Sequence, residues 1–203
     1  MMRTTQAQSP TKEKLLEAAQ QLMLAKGFPA TTVDEICDTA GFTKGSFFHY
    51  FDSKEQLGKE VLDRFYRFFL QQTVQQGAFR KKSDPLQRVY GYVDRFIEMT
   101  KNPELPSGCL LGHFTQELSV THPEIRSLCA QYFAEWAATF KQDLDEAKAR
   151  HAPKAPFDTQ SLAEYFIAVM QGSRILATAK QDAGVFEQNL QHFKRYVKSL
   201  FEK

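Results

Sequence analysis

A cysteine lies where a helix is expected to begin, in the segment Pro106-Ser107-Gly108-Cys109-Leu110-Leu111-Gly112-His113. Ser107 can cap that helix and so place Cys109 in its first turn, where unpaired N–H groups and the helix dipole favour a thiolate. Such a thiolate could react with an electrophile or an oxidant. Free cysteines are more often packing residues, so Cys109 could instead line the wall of a pocket that binds a small ligand without a covalent bond. Both interpretations stay open at this point.

The residues around Cys109 do not make a metal site or a catalytic site. Cys109 and His113 are four residues apart and His122 follows, but no further ligands stand at a convincing spacing. The sequence also offers no nucleophile paired with a base and no phosphate-binding glycine loop. We therefore expect no catalytic residues, no cofactor and no metal. His113 is interpreted as a hydrogen-bonding residue of a ligand pocket.

A second group of residues has the spacing of a DNA-reading motif. Thr32 and Glu35 form a capping-box pattern that opens a short helix ending at Ala40-Gly41, and Thr43 caps another short helix. Two short helices joined through a glycine turn match a helix-turn-helix, whose second helix lies in the DNA major groove. The same arrangement also occurs as plain packing, so spacing alone leaves both interpretations open.

The overall composition does not announce a nucleic-acid binder. The chain has 203 residues, 42% of them hydrophobic, and a net charge of +2. Residues 1–57 carry six Lys or Arg and seven Asp or Glu, so any case for DNA must rest on local geometry. Three widely spaced cysteines favour reduced thiols. No run of roughly 20 apolar residues and no signal-peptide region occurs, so we expect a cytoplasmic protein with no membrane partner.

Helical periodicity dominates the elements that must position these residues. Apolar residues recur at i, i+3, i+4 and i+7, and no strand-like alternation of useful length occurs. Ser53 and Gln56 form another capping-box pattern, which opens a long helix predicted to continue past Val74 and to tie two domains together. The fold class is therefore all-α, with about nine helices. The other predicted helices include residues 11–26, 85–100, 159–180 and 185–201.

The segment from Ala30 to Leu57, ATTVDEICDTAGFTKGSFFHYFDSKEQL, resembles the DNA-binding signature of the TetR/AcrR family of repressors. The resemblance is carried by Thr43-Lys44-Gly45-Ser46, the aromatic cluster after it and Ser53-Lys54-Glu55. It implies an all-helical homodimer that binds a palindromic operator in double-stranded DNA under the control of a small-molecule effector. The expected organisation is a disordered arm over residues 1–10, a three-helix DNA-binding domain with the helix-turn-helix over 11–57, and a ligand-binding and dimerisation domain over 58–203.

Within this resemblance, the roles of the DNA-binding residues follow from their chemistry. Thr31 and Thr32, at a helix start, can present hydroxyl and N–H groups to a phosphate. Lys44 can reach guanine or a phosphate, and Gly45 permits a close approach. Lys54, at the next helix start, would neutralise one phosphate. The full set of predicted DNA contacts is Thr31, Thr32, Thr43, Lys44, Gly45, Ser46, Phe48, His49, Tyr50 and Lys54.

Two positions depart from the family pattern. Phe48 stands where the family usually has tyrosine, so a hydroxyl that commonly meets the DNA backbone is missing. Cys37 replaces a frequent alanine, and we interpret it as a small buried hydrophobic residue. Phe47 and Phe51 are predicted to be core residues.

The rest of the chain is expected to form the effector pocket and the subunit interface. The Gly-Cys-Leu segment, with Glu117 and Gln171-Gly172 downstream, is similar to a subgroup of the family whose members include regulators of the response to reactive electrophiles or small unsaturated acids. Predicted pocket or sensor residues are Cys109, His113, Phe96, Tyr132, Trp136, Phe166 and Met170. The last two helices are expected to pair with a second subunit through Leu162, Val169, Gly172, Phe186, Phe193 and Val197.

Together these observations predict a ligand-controlled repressor that leaves its operator when a small molecule binds or Cys109 is modified. The alternative is a helical adaptor that contacts other proteins and has no specific DNA binding. That alternative leaves the pattern from Thr43 to Lys54 without a reason.

Overall fold

The computed structural model describes residues 9–99 and 108–202 of the chain. Within these ranges there are nine α-helices and no β-strand, which confirms the all-α class. Residues 1–8 of the predicted arm, and Ser107, lie outside the described ranges. No helix in the described ranges is long and apolar enough to cross a membrane. The helices are α1 (Pro10–Lys26), α2 (Val33–Ala40), α3 (Lys44–Tyr50), α4 (Lys54–Phe69), α5 (Pro85–Met99), α6 (Leu110–Leu118), α7 (Pro123–His151), α8 (Thr159–Lys180) and α9 (Gly184–Phe201).

The described residues divide into two compact units. Unit 1 runs to Tyr66 and also includes residues 110–129, so α6 and the start of α7 belong with the N-terminal helices. Unit 2 holds the remainder. The boundary predicted between residues 57 and 58, from the DNA-binding domain to the ligand-binding and dimerisation domain, stays a prediction.

The helices of unit 1 begin and end where the sequence supplies caps. Pro10 starts α1, since proline fits the first helical turn. The capping box of Thr32 and Glu35 forms as predicted at the start of α2. Gly41 ends α2 in the left-handed region with φ of 75°, which glycine adopts without steric cost and which turns the chain into α3. The predicted core positions of Phe47 and Phe51 and the burial of Cys37 are confirmed.

An aromatic cluster fills the core of unit 2. The rings of Tyr92 on α5 and Phe140 on α7 stack with centroids 4.4 Å apart. The indole N–H of Trp136 donates to the Tyr92 hydroxyl at 2.7 Å, so the polar groups of these two buried side chains are hydrogen-bonded to each other. Phe166 on α8 and Phe193 on α9 pack at 5.2 Å and join the last two helices to this cluster.

The long helix predicted from Ser53 past Val74 forms, but only its first part is α-helical. The α-helix ends at Phe69, and Leu70–Gln75 continues as a π-helical segment, followed by a 3-10 turn at Ala78–Lys81. Thr73 and Val74 are β-branched and Gly77 follows, which are poor residues for continuing an α-helix.

A buried carboxylate joins three elements of unit 2. Asp143 on α7 is only 2% exposed. It accepts hydrogen bonds from Arg80 Nη1 at 2.7 Å and from Arg88 Nε at 2.9 Å. The Asp143 carboxylate on α7 therefore binds both the 3-10 turn, through Arg80, and α5, through Arg88. The hydrogen bond to Asp143 is the main cause of the raised pKa of the Arg88 guanidinium.

Replacing Asp143 by Asn is expected to lower the free energy of unfolding by about 2–3 kcal/mol, because the amide keeps only one of the two acceptor oxygens and loses the charge that pairs with both arginines in a buried place. Urea denaturation followed by circular dichroism measures the change. Glu202→Gln is the matched control, since its pair with Lys198 is well exposed and such pairs contribute below about 1 kcal/mol. Equal effects of the two substitutions would contradict the importance of the buried carboxylate.

Candidate functional site

Helix α3 is fixed to unit 1 by one face and by its first turn. Phe47 is fully buried. The Thr43 hydroxyl oxygen accepts the Ser46 backbone N–H at 3.2 Å, so Thr43 caps α3 as predicted. Both side chains of this cap therefore serve the helix start. The opposite face of the helix is left free to meet a partner.

That free face carries four of the predicted DNA contacts. Lys44, Gly45, Phe48 and His49 are all exposed. Positions 44 and 48, and positions 45 and 49, are one helical turn apart, so the four residues share one side of α3. These four predicted contacts therefore share one surface. It carries the ammonium group of Lys44, the Phe48 ring and the His49 imidazole, and Gly45 adds no side chain to it.

An acidic residue of α2 holds the lysine of this face. Lys44 Nζ lies 2.7 Å from Asp34 Oδ1, and both side chains are more than half exposed. An exposed pair of this kind contributes little to stability. The pair does position the Lys44 ammonium group in the unbound protein.

The start of α2 is held by a network centred on Glu35. Glu35 Oε2 accepts the Thr32 backbone N–H at 2.9 Å and the Thr32 hydroxyl at 2.9 Å, and its other oxygen pairs with Lys26 of α1. The hydrogen bond from Lys26, followed by those from Thr32, lowers the pKa of Glu35 from 4.5 to about 2. Thr32 is thus engaged as a helix cap.

Three other predicted DNA contacts are engaged inside unit 1. Thr31 is buried, and its hydroxyl donates to the Gly27 carbonyl at 2.8 Å. The Tyr50 hydroxyl hydrogen-bonds with the Ser9 hydroxyl at 2.8 Å. Lys54 Nζ donates to the carbonyls of Phe28 at 3.0 Å and of Thr31 at 2.8 Å. Burial is the main cause of the lowered pKa of the Lys54 ammonium group. Thr31 has no exposed hydroxyl to offer a phosphate, and Lys54 keeps one of its three donors.

Sequence reasoning missed a contact that ties α6 to the turn between α1 and α2. Glu117 Oε2 accepts the backbone N–H of Phe28 at 2.8 Å. The Phe28 ring packs edge-on against Phe114 of α6, with centroids 5.5 Å apart, and against His122 at 5.6 Å. Gly27 has φ of 85°, and a side chain there would collide with the Glu117 carboxylate. No local pattern signals these contacts, because 89 positions separate Glu117 from Phe28.

Cys109 stands directly before α6 and not within its first turn. The helix begins at Leu110, so Cys109 is the flanking residue, which corrects the predicted position by at least one residue. Gln171 Nε2 of α8 donates to Cys109 Sγ at 3.3 Å. Arg174 lies one turn further along α8; burial lowers the pKa of its guanidinium, and the charge of Cys109 acts in the opposite direction. The sulfur thus accepts a hydrogen bond from an amide and interacts electrostatically with the Arg174 guanidinium.

The predicted pocket residues fall into two groups. Phe96, Trp136 and Phe166 pack together in the aromatic cluster of unit 2, with Phe96 and Trp136 centroids 5.8 Å apart. Tyr132 and Met170 are also buried in unit 2. His113, by contrast, is half-buried on α6 and belongs to unit 1. Among the described residues no group of three or more His, Cys, Asp or Glu side chains is placed to hold a metal.

The predicted dimer residues need correction. Leu162, Phe186, Phe193 and Val197 are buried within a single chain, since their side chains pack α8 and α9 against the rest of unit 2. Within the single chain, these four side chains therefore present little surface to a second copy. Val169 and Gly172 are partly exposed. The large exposed apolar residues of these two helices are Tyr165, Ile175, Leu176 and Tyr196.

Comparison with known proteins gives this arrangement a family. Residues 15–61 match the family model described as "Bacterial regulatory proteins, tetR family", and residues 85–193 match "Tetracyclin repressor-like, C-terminal domain". The second match alone spans more than half of the chain. The chain belongs to the TetR family. A TetR-family chain is a DNA-binding transcriptional regulator and not an enzyme, and the adaptor alternative is not favoured.

Individual relatives agree with the family assignment. The chain is 29% identical over 167 residues to the transcriptional repressor DhaR of Mycobacterium sp. strain GP1, covering 82% of each chain. It is 26% identical over 192 residues to the repressor NemR of Escherichia coli K12, covering 92% of this chain and 94% of NemR. The crystal structure of E. coli NemR in its reduced form matches with a TM-score of 0.77 at 27% identity, over 91% of this chain and 96% of that one. A TetR regulatory protein of Rhodobacter sphaeroides matches with a TM-score of 0.80 at 26% identity, over 92% and 98%.

The depressed pKa of Glu35 predicts a pH dependence for this TetR-family helix-turn-helix. A lowered pKa stabilises the folded state above the unfolded value, and this contribution is lost as the pH falls through the folded value. The melting temperature of wild type should exceed that of Glu35→Gln by a constant amount above about pH 5. The difference should shrink as the pH falls from 4.5 towards about 2.

The matched control for this pH series is Thr32→Ala. Removing the Thr32 hydroxyl leaves the Glu35 carboxylate in place and costs about 1 kcal/mol as the loss of a helix cap. Its effect on the melting temperature should persist at acidic pH, whereas the effect of Glu35→Gln should fade. A Glu35→Gln effect that stays the same at all pH values would show that the charge of Glu35 is not what stabilises α2.

Proposed function

We propose that this TetR-family chain is a homodimeric repressor that binds a palindromic operator through α3 and leaves it when a small molecule binds beside Cys109 or modifies it. The observation that carries the proposal is the exposed face of α3, formed by Lys44, Gly45, Phe48 and His49. A rigidly capped helix with one free face is the element that enters a major groove. Because a transcriptional regulator must reach chromosomal DNA, the expected location of the protein remains the cytoplasm.

We assign the predicted DNA contacts to two roles. Lys44, Gly45, Phe48 and His49 are assigned direct contact with DNA, and Thr43 is exposed beside them. Thr31, Thr32, Ser46, Tyr50 and Lys54 are assigned the positioning of α2, α3 and the start of α4, because their polar groups make the hydrogen bonds described above. Residues 11–57 then make the DNA contacts, and α6 supports them from within unit 1.

The surroundings of Cys109 favour an effector that is small and either electrophilic or acidic. In a conjugate addition, Cys109 Sγ would bond to the β-carbon of an unsaturated acid or carbonyl compound. The C=C π bond would break, and the thiol proton would end on the α-carbon. The Arg174 guanidinium on α8 could pair with a carboxylate of the bound molecule.

The response to the effector would pass through α6. Cys109 directly precedes this helix, and Glu117 near its end holds the backbone N–H of Phe28. A change at Cys109 that displaces α6 would loosen the turn that carries the Thr32 cap of α2. The effector then favours a conformer whose recognition helices no longer fit the operator, which is a population shift.

The proposed dimer uses the exposed apolar residues of α8 and α9. Ile175 is 52% exposed and Leu176 is 47% exposed, and Tyr165 and Tyr196 lie on the same two helices. Large apolar side chains exposed on two neighbouring helices favour a surface for another protein. A symmetric pair would set two α3 helices about one DNA turn, roughly 34 Å, apart.

The proposed control by Cys109 is tested by fluorescence anisotropy on DNA from the upstream region of the gene, with N-ethylmaleimide as the conjugate acceptor. Wild type should lose at least about tenfold in affinity, while Cys109→Ser should keep its affinity. Cys129→Ala is the control, because Cys129 is buried, and it should respond like wild type. Mass spectrometry identifies the modified residue.

Other results of this experiment are equally decisive. Release of Cys109→Ser by the reagent would remove Cys109 as the sensor. Tight binding of wild type after complete modification of Cys109 would show that modification does not release the operator and would favour a non-covalent effector.

The subunit interface is tested with Ile175→Glu combined with Leu176→Glu. Two carboxylates on an apolar interface carry a large desolvation cost, so the variant should elute as a monomer in size-exclusion chromatography with light scattering. Val120→Glu is the control, since Val120 is exposed but belongs to unit 1. A dimeric double variant would contradict this interface.

A further inference from the structure

Gly45 is a residue that the fold of the chain does not need. It lies in the first turn of α3, and a Cβ placed there would meet only Thr43 Oγ1 at 3.6 Å, an ordinary contact distance. Its φ is not in the left-handed region that favours glycine. Alanine is a better helix former than glycine, so alanine here would favour the helix. The gap that glycine leaves at position 45 therefore favours an interaction with a partner molecule and not the folding of the chain itself.

An exposed aromatic ring borders this gap. Phe48 follows Gly45 by three positions, which places the two residues next to each other on the face of α3. The Phe48 side chain is 55% exposed, and its ring packs edge-on against the buried Phe47 ring with centroids 5.1 Å apart. One side of the Phe48 ring thus packs on the core, the rest of the ring is exposed, and Gly45 leaves the helix surface beside it without a side chain.

The chemistry of this pair limits what it can bind on a DNA duplex. A phenylalanine ring cannot donate a hydrogen bond to a phosphate oxygen. In the major groove the base edges present hydrogen-bonding groups and a single kind of apolar group, the 5-methyl of thymine. A ring beside a gap in the helix surface suits a methyl group better than it suits a polar base edge.

We infer that Phe48 and the gap above Gly45 receive the 5-methyl group of one thymine in each operator half-site. Phe48 is then a residue that specifies a T·A base pair, with Lys44 and His49 on either side of it. The inference rests on the proposed DNA-binding function of α3. It adds the base and the atom that this part of the helix reads.

The inference is tested by removing the methyl group from the DNA. An operator is first selected from random duplexes with the purified full-length protein, and each thymine is then replaced by deoxyuridine. Burial of one methyl group corresponds to about a fourfold gain in affinity, so one thymine per half-site should show about a fourfold loss on replacement. Replacement in both half-sites should cost the dimer about fifteenfold.

Protein variants identify the residue that meets the methyl group. Phe48→Ala should bind more weakly and should no longer distinguish thymine from deoxyuridine at that position. Gly45→Ala should also weaken binding while its melting temperature stays equal to or above that of wild type. Phe68→Ala is the control, because Phe68 is an equally exposed phenylalanine on α4, and it should keep the response to deoxyuridine.

The other outcomes contradict either the contact with the thymine methyl group or the proposed function. If no thymine responds to deoxyuridine, or if Phe48→Ala responds as strongly as wild type, the methyl contact is wrong while DNA binding by α3 stands. Packing of Phe48 on a deoxyribose would give this result, since the sugar is unchanged. If the selection yields no preferred sequence, the proposed function itself fails.

Discussion

Phe28 is the residue on which the arrangement of the DNA-facing unit depends. Its N–H is held by Glu117 of α6, its carbonyl by Lys54 of α4, and its ring lies between Lys54, Phe114 and His122. The turn that contains Phe28 leads directly to the Thr32 cap of α2, and α2 leads through Gly41 to α3. The orientation of the recognition helix therefore depends on a short turn whose backbone groups are bound by two other helices.

The local parts of this design could be predicted from the sequence. The capping box of Thr32 and Glu35, the cap at Thr43 and the stop at Gly41 are settled by residues within a few positions of one another, and all three form. Helix α8 begins and ends at the predicted residues. Phe47 and Phe51 were also predicted to be core residues, and both are buried. The exposed face of α3 follows from the same spacing.

The distant parts could not be predicted, because the partners lie far apart in the chain. Nothing near Lys54 shows that two backbone carbonyls would take its donors, and nothing near Tyr50 points to Ser9. The buried Asp143 resembles any other acidic residue on a long helix until Arg80 and Arg88 reach it. Helix α8 is apolar on much of its circumference, so its sequence did not separate the side that packs inward, with Leu162, from the side with Ile175 and Leu176.

The ion pair between Lys44 and Asp34 has a consequence for how DNA binding depends on salt. A lysine that meets DNA from free solution releases condensed cations from the phosphates and gives up only water. In the proposed contact with DNA, Lys44 would instead separate from a carboxylate of its own chain, and that carboxylate would then lie close to the polyanion. Release of cations from the DNA and loss of the Asp34 pair would have opposite effects on how the DNA affinity depends on salt. The number of released cations measured from this dependence would then be smaller than the number of lysine–phosphate contacts. In the proposed complex, the same carboxylate would disfavour a DNA position at which Lys44 finds no acceptor.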